Sequence, residues 1–547
     1  MSEESDDRMK ATVASLDALL GIEEEPKEEL PASSKNEEQE EPRVAVELAI
    51  SDDVLKQIAA MEAGRKRKGQ PSGGRSTEEI EKELRGSMAN IVEQAKKLAE
   101  NADKKGGEQA LQGEFENLLS LLKPDSVLSK EDIQKLKDEV FGQTTFWVTE
   151  TRTVFESVDT GGLLVRGNLR APREKVFDEV ADGVKRIFGD KYEVLMIEDP
   201  EAEEEDPRGG PRIAFQILPA EAAQPNPTAA WQILVAGVLL ILTVGSATQL
   251  GLTANVSKLP KETIEWLAKP SELGADQLPP GLVGWDPLPY FLSALPITAS
   301  VLLLQLVHDV MHRVTAAQKK IKLGPSLFIP NGQIGSFGAI TPFKSLVRSR
   351  RDLFDVSFSG PAAAALASLA LFGYGLLLSA GGDVPKEALV PVPAQLFQGS
   401  LLLGSTAKLV LGDGLARSVN VLIHPFLIGG WCGMVSTAFN LLPVGALDGG
   451  RMMQAAFGRN ALAISSFFVY VGLGLGFLGS SLALPFGLYV LICQRNAEKY
   501  VQDAVTPAGE RRQGLAVAAF LLALLVLLPM APDVADSVGV GAQSMFL

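Results

Sequence analysis

The most restrictive feature of this 547-residue chain is a division in charge and hydropathy near residue 228. Residues 1–228 contain 50 acidic and 31 basic side chains, a net charge of −19. Residues 229–547 contain 17 acidic and 20 basic side chains, a net charge of +3, and are mostly apolar. A single soluble globule cannot have this composition, and the negative charge of the first part argues against nucleic acid as the main partner.

The apolar part contains seven stretches close to the ~20 residues that a transmembrane helix needs. They lie at 230–252, 289–312, 356–380, 420–443, 461–479, 481–495 and 514–531. An eighth stretch, at 394–412, is shorter and ambiguous. The sequence therefore predicts a membrane domain over 229–531 with seven or eight apolar segments.

The distribution of basic residues predicts how this domain is oriented. The loop at 313–355 carries eight Lys and Arg residues, whereas the loop at 253–288 carries three among five acidic ones. The positive-inside rule places the first loop on the cytosolic or stromal side. Two crossings separate that loop from the N-terminal region, so we expect the N-terminal region on the same side.

Three segments precede the membrane domain, and a tail at 532–547 follows it. Residues 1–51 are rich in Glu, Ser and Pro and are predicted to be disordered. Residues 52–140 have helical spacing, and residues 144–220 predict a small soluble α+β domain of β-β-α-β-β order. The acidic first residues resemble neither a signal peptide nor a transit peptide. Either the chain is inserted without a cleaved presequence or such a segment has already been removed.

Two of the three histidines, His308 and His312, lie four residues apart in an apolar stretch. Four residues is just over one helical turn, so both imidazoles project from one face and can ligate one metal ion. Ionisable side chains in membrane segments are costly and usually functional. A pair of interfacial histidines facing lipid headgroups is the alternative interpretation.

A second polar segment, NLLPVGALDGGR at 440–451, ends another apolar stretch. The carboxylate of Asp448 could be a third ligand, which leaves one position open for water or substrate. A helix-ending turn would also explain these residues, and Arg451 could either pair with Asp448 or cap that turn. The coincidence of both segments in one membrane protein favours a metal site of His308, His312 and Asp448.

A shared metal site constrains the topology. Asp448 must lie at the depth of the two histidines, so the stretch at 420–443 must run towards their side of the membrane. This is compatible with the order of the stretches only if 394–412 does not fully cross. We therefore expect a re-entrant or surface-lying segment at 394–412.

These residues resemble the motifs of the site-2 proteases of peptidase family M50, zinc metalloproteases that cleave within the membrane. The motifs of that family are H-E-x-x-H and N-x-x-P-x-x-x-L-D-G. The second is complete here, with Asn440, Pro443, Asp448 and Gly449. By this resemblance the three metal ligands would hold Zn²⁺, and Asn440, Pro443 and Gly449 would position the substrate or the metal-binding turn.

The chain is more specifically similar to the plastid branch named for ethylene-dependent gravitropism deficiency and yellow-green leaves. The G-N-L-R motif of that branch is matched by Gly167, Asn168, Leu169 and Arg170. Its GSFGAIT and SGPAA segments are matched at 335–341 and 359–363. The resemblance covers roughly residues 144–531.

One position departs from the family pattern. The catalytic Glu of H-E-x-x-H, which activates the zinc-bound water, is Asp309 here. Its carboxylate is retracted by one methylene, about 1.5 Å of C–C bond length. A general base must approach its proton closely, and a misplacement of ~1 Å can cost on the order of a hundredfold in rate. Two alternatives remain for zinc: it still binds to the retained ligands, or its binding has been lost together with the activity. The chain resembles the protease-impaired members of the branch.

The resemblance implies an α-helical polytopic membrane protein with a site-2 protease-like core, preceded by a small soluble α+β domain. It implies a chloroplast membrane location, in the thylakoid or inner envelope, with the N-terminal domain in the stroma and a role in chloroplast development. The expected partners are the bilayer and single-pass membrane protein clients, and homo-oligomer formation is compatible with the sequence. Two functions remain open: a metalloprotease of reduced or lost activity, and a non-catalytic scaffold that binds transmembrane clients. A metal transporter is a weaker alternative, because the apolar stretches contain few charged residues.

Overall fold

The computed structural model describes residues 128–541, apart from gaps at 143, 158–159, 201, 203–204, 207–209, 270–277, 383 and 477–479. The predicted disordered segment 1–51, and the predicted helical region 52–140 up to residue 127, lie outside the described residues. The described part of the predicted helical region is helical from residue 130. Helix α1 spans Lys130–Lys135 and continues as a π-helical turn over Leu136–Val140.

The soluble domain has the predicted β-β-α-β-β order. Its elements are β1 (Phe146–Ser157), β2 (Thr160–Leu169), α2 (Arg173–Phe188), β3 (Tyr192–Glu198) and β4 (Ile213–Pro219). The apolar residues of α2 recur with helical period, so Val176, Phe177, Val180 and Val184 face the sheet and are buried. Ion pairing also stabilises this domain: Lys191 donates to Asp132 at 2.8 Å and thereby lowers the pKa of that carboxyl.

The membrane domain begins after β4. Its helices are α3 (Ala220–Ala223), α4 (Ala230–Ala254), α5 (Lys261–Ala268), α6 (Leu288–Gln318), α7 (Arg350–Ala380), α8 (Leu401–Leu411), α9 (Gly414–Arg417), α10 (Pro425–Asn440), α11 (Asp448–Phe457), α12 (Arg459–Gly476), α13 (Ala483–Tyr489), α14 (Glu510–Leu527) and α15 (Pro532–Val538). Its strands are β5 (Leu327–Asn331), β6 (Gly335–Ile340), β7 (Val347–Ser349), β8 (Val390–Pro393), β9 (Asn420–Ile423) and β10 (Val501–Asp503).

Three of the described helices, α4, α6 and α7, are long and apolar enough to cross a membrane. The pair of α14 and α15, which meet at 90°, is a fourth candidate if it forms one bent span. The other predicted stretches form shorter or more polar helices: α10 has 16 residues because strand β9 occupies the start of 420–443. Helix α15 lies within the segment predicted as a tail.

Helix α8 covers most of the ambiguous stretch at 394–412. It has 11 residues, about 16 Å of helix, whereas the hydrocarbon core of a bilayer is ~30 Å thick. A 3₁₀ turn at Ala394–Gly399 precedes it. The length of α8 agrees with the expectation that this stretch does not fully cross.

Two short strands of the membrane domain extend the sheet of the soluble domain. The strand order is β1-β2-β4-β3-β10-β7, and β10 is parallel to both of its neighbours. Two ion pairs reinforce this junction, from Arg348 to Asp178 and from Arg351 to Glu174, each at 2.6 Å. The two domains therefore share one sheet, which the sequence did not predict.

Helix α10 lies between α6 and α7 because glycines let the three backbones approach closely. A Cβ at Gly429 would lie 2.3 Å from Ser300 of α6, and one at Gly430 would lie 2.4 Å from the backbone of Phe372 of α7. Small residues at helix contacts are the usual means of close packing in membranes. The central layer of the domain is thus α6, α10 and α7.

A β-hairpin of β5 and β6 packs along α4. The Ser246 hydroxyl of α4 donates to the Gly335 carbonyl at 2.6 Å. The side-chain oxygen of Asn331 accepts from the N–H groups of Gln333 and Ile334 and closes the turn, as expected for the Asn-Gly dipeptide at 331–332. The GSFGAIT segment corresponds to β6 and the residue that follows it.

We predict that Gly167→Ala destabilises the soluble domain by about 1–3 kcal/mol, the range found for overpacked cores. A Cβ at Gly167 on β2 would lie 2.1 Å from the Trp147 carbonyl on β1, so the two strands would have to separate. Gly142→Ala is the matched control, since its nearest neighbour would be 4.0 Å away. Thermal unfolding and limited proteolysis of the full-length protein measure the difference, and equal stability of the two variants would contradict the prediction.

Candidate metal centre

Helix α6 brings the two histidines to one face at the centre of the domain. His308 and His312 are 8% and 5% exposed and are therefore buried. Ten residues, about 15 Å of helix, separate His308 from the end of α6 that lies nearer the soluble domain. The two histidines therefore form a buried pair within a membrane-length helix.

Asp448 begins α11 and reaches the histidines across the bundle. Its Oδ2 lies 3.0 Å from His308 Nε2 and 3.2 Å from His312 Nε2, and the two Nε2 atoms are 3.0 Å apart. Asp448 is itself buried. The structure therefore brings together the three residues that the sequence singled out as metal ligands.

The three donors fit a tetrahedral cation. Zinc ligands at about 2.0–2.1 Å in tetrahedral geometry lie roughly 3.3 Å from one another, close to the separations seen here. A Val356 carbonyl at 2.7 Å accepts from Nδ1–H of His312, which leaves the Nε2 lone pair directed at the site. This arrangement of a ligand histidine held by a backbone carbonyl is typical of metal centres.

Helix α7 closes the site through the SGPAA segment. The Ser359 hydroxyl donates to the Met311 carbonyl of α6 at 3.2 Å. A Cβ at Gly360 would lie 2.3 Å from His312 Nε2 and 2.6 Å from His308 Cδ2. Gly360 is therefore needed where α7 passes the two imidazoles, a role that the sequence motif alone did not reveal.

Asp309, at the position of the general base, is held by two neighbours. Arg313 Nε donates to one carboxylate oxygen at 2.8 Å, and the Ser326 hydroxyl donates to the other. The Arg313 guanidinium also donates to Ser326 Oγ at 2.6 Å and to the Gly324 carbonyl at 3.1 Å. Both oxygens of Asp309 are thus engaged by α6 and by the loop that leads into β5.

The remaining residues of the second motif shape the surroundings of Asp448. Asn440, at the end of α10, donates to the Phe337 carbonyl of β6 at 2.7 Å, and a Cβ at Gly338 would lie 2.3 Å from its amide. Gly449 packs against the Leu441 carbonyl, where a Cβ would lie 2.0 Å away. The Pro443 carbonyl accepts from Ser465 of α12 at 2.7 Å.

Arg451 pairs with Glu498 at 3.1 Å and donates to the Thr341 carbonyl at 3.3 Å. Two roles were left open for Arg451: a pair with Asp448 and a cap of the turn. Among the described residues, the structure shows neither of them. A cavity of about 10 Å³, lined by Asp448 among others, lies beside the site. This space is on the order of one water molecule.

The other motif residues lie away from this centre. Gly167, Asn168, Leu169 and Arg170 lie at the end of β2 and just beyond it in the soluble domain, where Arg170 lies 5.7 Å above the Trp147 ring. His424 caps the start of α10, where its Nδ1 accepts from the Phe426 N–H at 3.2 Å.

A buried two-histidine, one-carboxylate site in a bundle of membrane helices, flanked by a β-hairpin, defines a class: intramembrane proteins with a metalloprotease-type core. Residues 296–478 match peptidase family M50, and residues 134–225 match the EGY3 middle domain. No solved structure matches.

Two curated proteins named probable zinc metalloprotease EGY1, chloroplastic, are each 43% identical over 429 residues, or 78% of this chain. The protein from Oryza sativa subsp. japonica is covered over 72% of its length and that from Arabidopsis thaliana over 76%. The DDT domain-containing protein PTM of Arabidopsis thaliana is 53% identical over 161 residues, 29% of this chain and 9% of its own length. The chain therefore belongs to the EGY family of site-2 protease-type chloroplast membrane proteins.

We predict that Gly360→Ala lowers metal affinity by about 10–100-fold, the range found when groups behind metal ligands are altered. The new methyl group would displace His312 from its position beside Asp448. Gly373→Ala on the same helix is the control, because nothing lies within 4 Å of a Cβ there. Zinc titration of the purified full-length variants, monitored by metal content, tests this. Equal zinc affinity of the two variants would show that α7 does not constrain the site.

Proposed function

We propose that this protein is a zinc-binding site-2 protease homologue whose proteolytic activity is strongly reduced or lost. His308, His312 and Asp448 hold the zinc ion, and their spacing and burial support this assignment. The names of the EGY1 relatives include a zinc metalloprotease activity, which supports zinc as the ion. A bound zinc ion would polarise a peptide carbonyl and acidify a water molecule.

The observation that carries the reduced activity is the state of Asp309. A general base needs a free carboxylate oxygen within about 2.6–3.2 Å of the proton that it accepts. Here the side chain is one methylene shorter than Glu, and Arg313 and Ser326 occupy both of its oxygens. The carboxylate therefore extends less far than that of Glu, and its negative charge is paired with the Arg313 guanidinium group.

The second candidate function is a non-catalytic scaffold that holds transmembrane clients, and the same pairing of Asp309 favours it. The hairpin of β5 and β6 supports client binding in either case, because an added extended segment could pair with it. In this role Asn440 positions the hairpin by its hydrogen bond to Phe337. We further propose single-pass membrane proteins as clients and a stromal location for the soluble domain, in agreement with the basic loop at 313–355.

We predict that Asp309→Glu raises cleavage of a model single-pass substrate by about a hundredfold, because the added methylene restores ~1 Å or more of reach. The assay compares wild type, the Glu variant and the double variant Asp309→Glu/His308→Ala in detergent, with zinc content measured for each. The double variant lacks one ligand and should lose both zinc and cleavage. Wild-type cleavage equal to that of the Glu variant would contradict the loss of activity.

We predict further that Ser326→Ala, with Asp309 unchanged, leaves zinc content at the wild-type level and gives no more than a few-fold gain in cleavage. Removing the hydroxyl frees one carboxylate oxygen but does not lengthen the side chain. A gain as large as that of Asp309→Glu would instead assign the low activity to the hydrogen bond and not to the missing methylene. The same substrate and zinc measurements distinguish the two results.

A further inference from the structure

A π-helical turn at Val490–Gln494 continues α13 next to the candidate metal centre. Turns of this kind are rare in proteins and often lie at functional sites. Tyr489, at the end of α13, and Gln494, at the end of the turn, both line the small cavity beside Asp448. The turn therefore brings two polar side chains close to a metal-ligating carboxylate, and neither of them belongs to the metal-ligating set.

The π-helical turn is attached directly to the segment that carries Asp448. The Gln494 carbonyl accepts from the Ala446 N–H at 2.7 Å. This approach requires a glycine at position 445, because a Cβ there would overlap the same carbonyl oxygen and the φ of Gly445 is +52°. Gln494 is itself buried. The backbone thus fixes the position of Gln494 relative to the metal-binding turn.

Three polar groups at the cavity have no hydrogen-bond partner among the described residues. Arg451 Nε is buried and forms no hydrogen bond, although the other two guanidinium nitrogens bind Glu498 and the Thr341 carbonyl. The side-chain amide of Gln494 and the hydroxyl of Tyr489 likewise form no hydrogen bond with a described residue. Buried polar groups cost free energy unless they are paired. Together these groups therefore indicate a small polar ligand between them.

Asp448 supplies a fourth polar group. Its Oδ2 lies against both imidazoles, whereas its Oδ1 forms no hydrogen bond with a described residue. The Tyr489 hydroxyl is close enough to Asp448 and Arg451 to interact with both charges. Carboxylates that ligate a metal are in turn held by hydrogen bonds. Among the described residues no protein group supplies that bond to Oδ1, so a ligand in the cavity is needed to supply it.

The size and the charges of the cavity identify this ligand. Its volume is about 10 Å³, on the order of one water molecule, and a buried water needs about two to four polar partners. The Arg451 guanidinium disfavours a cation in this space, and the Asp448 carboxylate disfavours an anion. Two of the four groups can donate, Arg451 Nε and the Tyr489 hydroxyl. The other two, Asp448 Oδ1 and the Gln494 amide oxygen, can accept, which matches the two lone pairs and two protons of one water molecule.

We propose that the cavity binds one water molecule, and that this water holds the carboxylate of Asp448 in its metal-binding orientation. The water accepts hydrogen bonds from Arg451 and Tyr489. It donates to Asp448 Oδ1 and to the Gln494 amide oxygen. Arg451, Tyr489 and Gln494 are thus positioning residues, which act on the metal through the water and the carboxylate. This inference rests on the proposed zinc binding.

The test uses Co²⁺ in place of zinc, because bound Co²⁺ absorbs visible light and its spectrum reports the geometry of its ligands. The full-length wild type and the Tyr489→Phe variant are titrated in detergent. We expect the variant to bind Co²⁺ about 10–100-fold more weakly, the range found when groups behind metal ligands are altered, and to shift the visible bands of the bound ion. Phe retains the ring that packs 5.7 Å from Phe486, so the substitution removes the hydroxyl alone.

Tyr470→Phe is the matched control. The Tyr470 hydroxyl on α12 is also buried and without a hydrogen-bond partner among the described residues, but Tyr470 does not line the cavity. This variant should keep the wild-type affinity and spectrum. An equal loss of affinity in both variants would assign the effect to packing and overturn the proposal.

A double-variant comparison tests whether the side chains share one water. Gln494→Met keeps the length of the side chain but removes the amide, and should weaken Co²⁺ binding by about tenfold or more. If both side chains act through the same water, Tyr489→Phe/Gln494→Met should weaken binding by much less than the product of the two single effects. Effects that multiply would show that the two residues act independently and would overturn the water-mediated link.

The wild-type titration separates this inference from the proposed function. Absence of Co²⁺ uptake by the wild type would contradict the zinc site and this inference together. Uptake by the wild type, with an unchanged affinity and spectrum in Tyr489→Phe, would overturn this inference alone and leave the zinc site in place.

Discussion

The candidate metal centre depends on the close packing of α10 between α6 and α7. The ligands come from two segments about 140 residues apart, and only the approach of these helices brings them within 3.2 Å of one another. Gly429 and Gly430 permit that approach, because a methyl group at either position would meet a neighbouring helix at less than 2.5 Å. In a membrane, where apolar surface is not driven together by water, such contacts between backbones supply much of the association.

The same packing explains why the polar core is tolerated. A buried carboxylate is costly unless it is paired or coordinates a metal. Asp448 faces two imidazoles, Asp309 faces a guanidinium, and Arg451 faces Glu498. Each of these three groups thus faces a group of opposite charge or a pair of imidazoles. The two acids at the centre have different surroundings: Asp448 lies against the two imidazoles, and Asp309 forms an ion pair with Arg313.

Much of the site could be predicted from sequence because its chemistry is local. The i, i+4 spacing of His308 and His312 and the turn at Asp448 are visible within a few residues, and the same is true of the alternating strands of the soluble domain. Gly360 and Ser326 could not be predicted, because their importance comes from contacts across helices that no local spacing encodes. Strands β7 and β10 were missed for a related reason: each has three residues, too few for a periodic pattern. Strand β10 forms by addition to β3, and β7 by addition to β10.

These two strands link the soluble domain to the helix that borders the candidate metal centre, since β10 pairs with β3 of the soluble domain and with β7. Helix α7 begins at the residue that follows β7, and Val356 and Gly360, which lie against His312, are within its first three turns. The position of β7 in the shared sheet therefore fixes where α7 starts. Pro361 follows Gly360 in α7, and a proline inside a helix removes one backbone hydrogen bond. The soluble domain is thus joined through β10 and β7 to the helix that lies against His312, although it contributes no residue to the site.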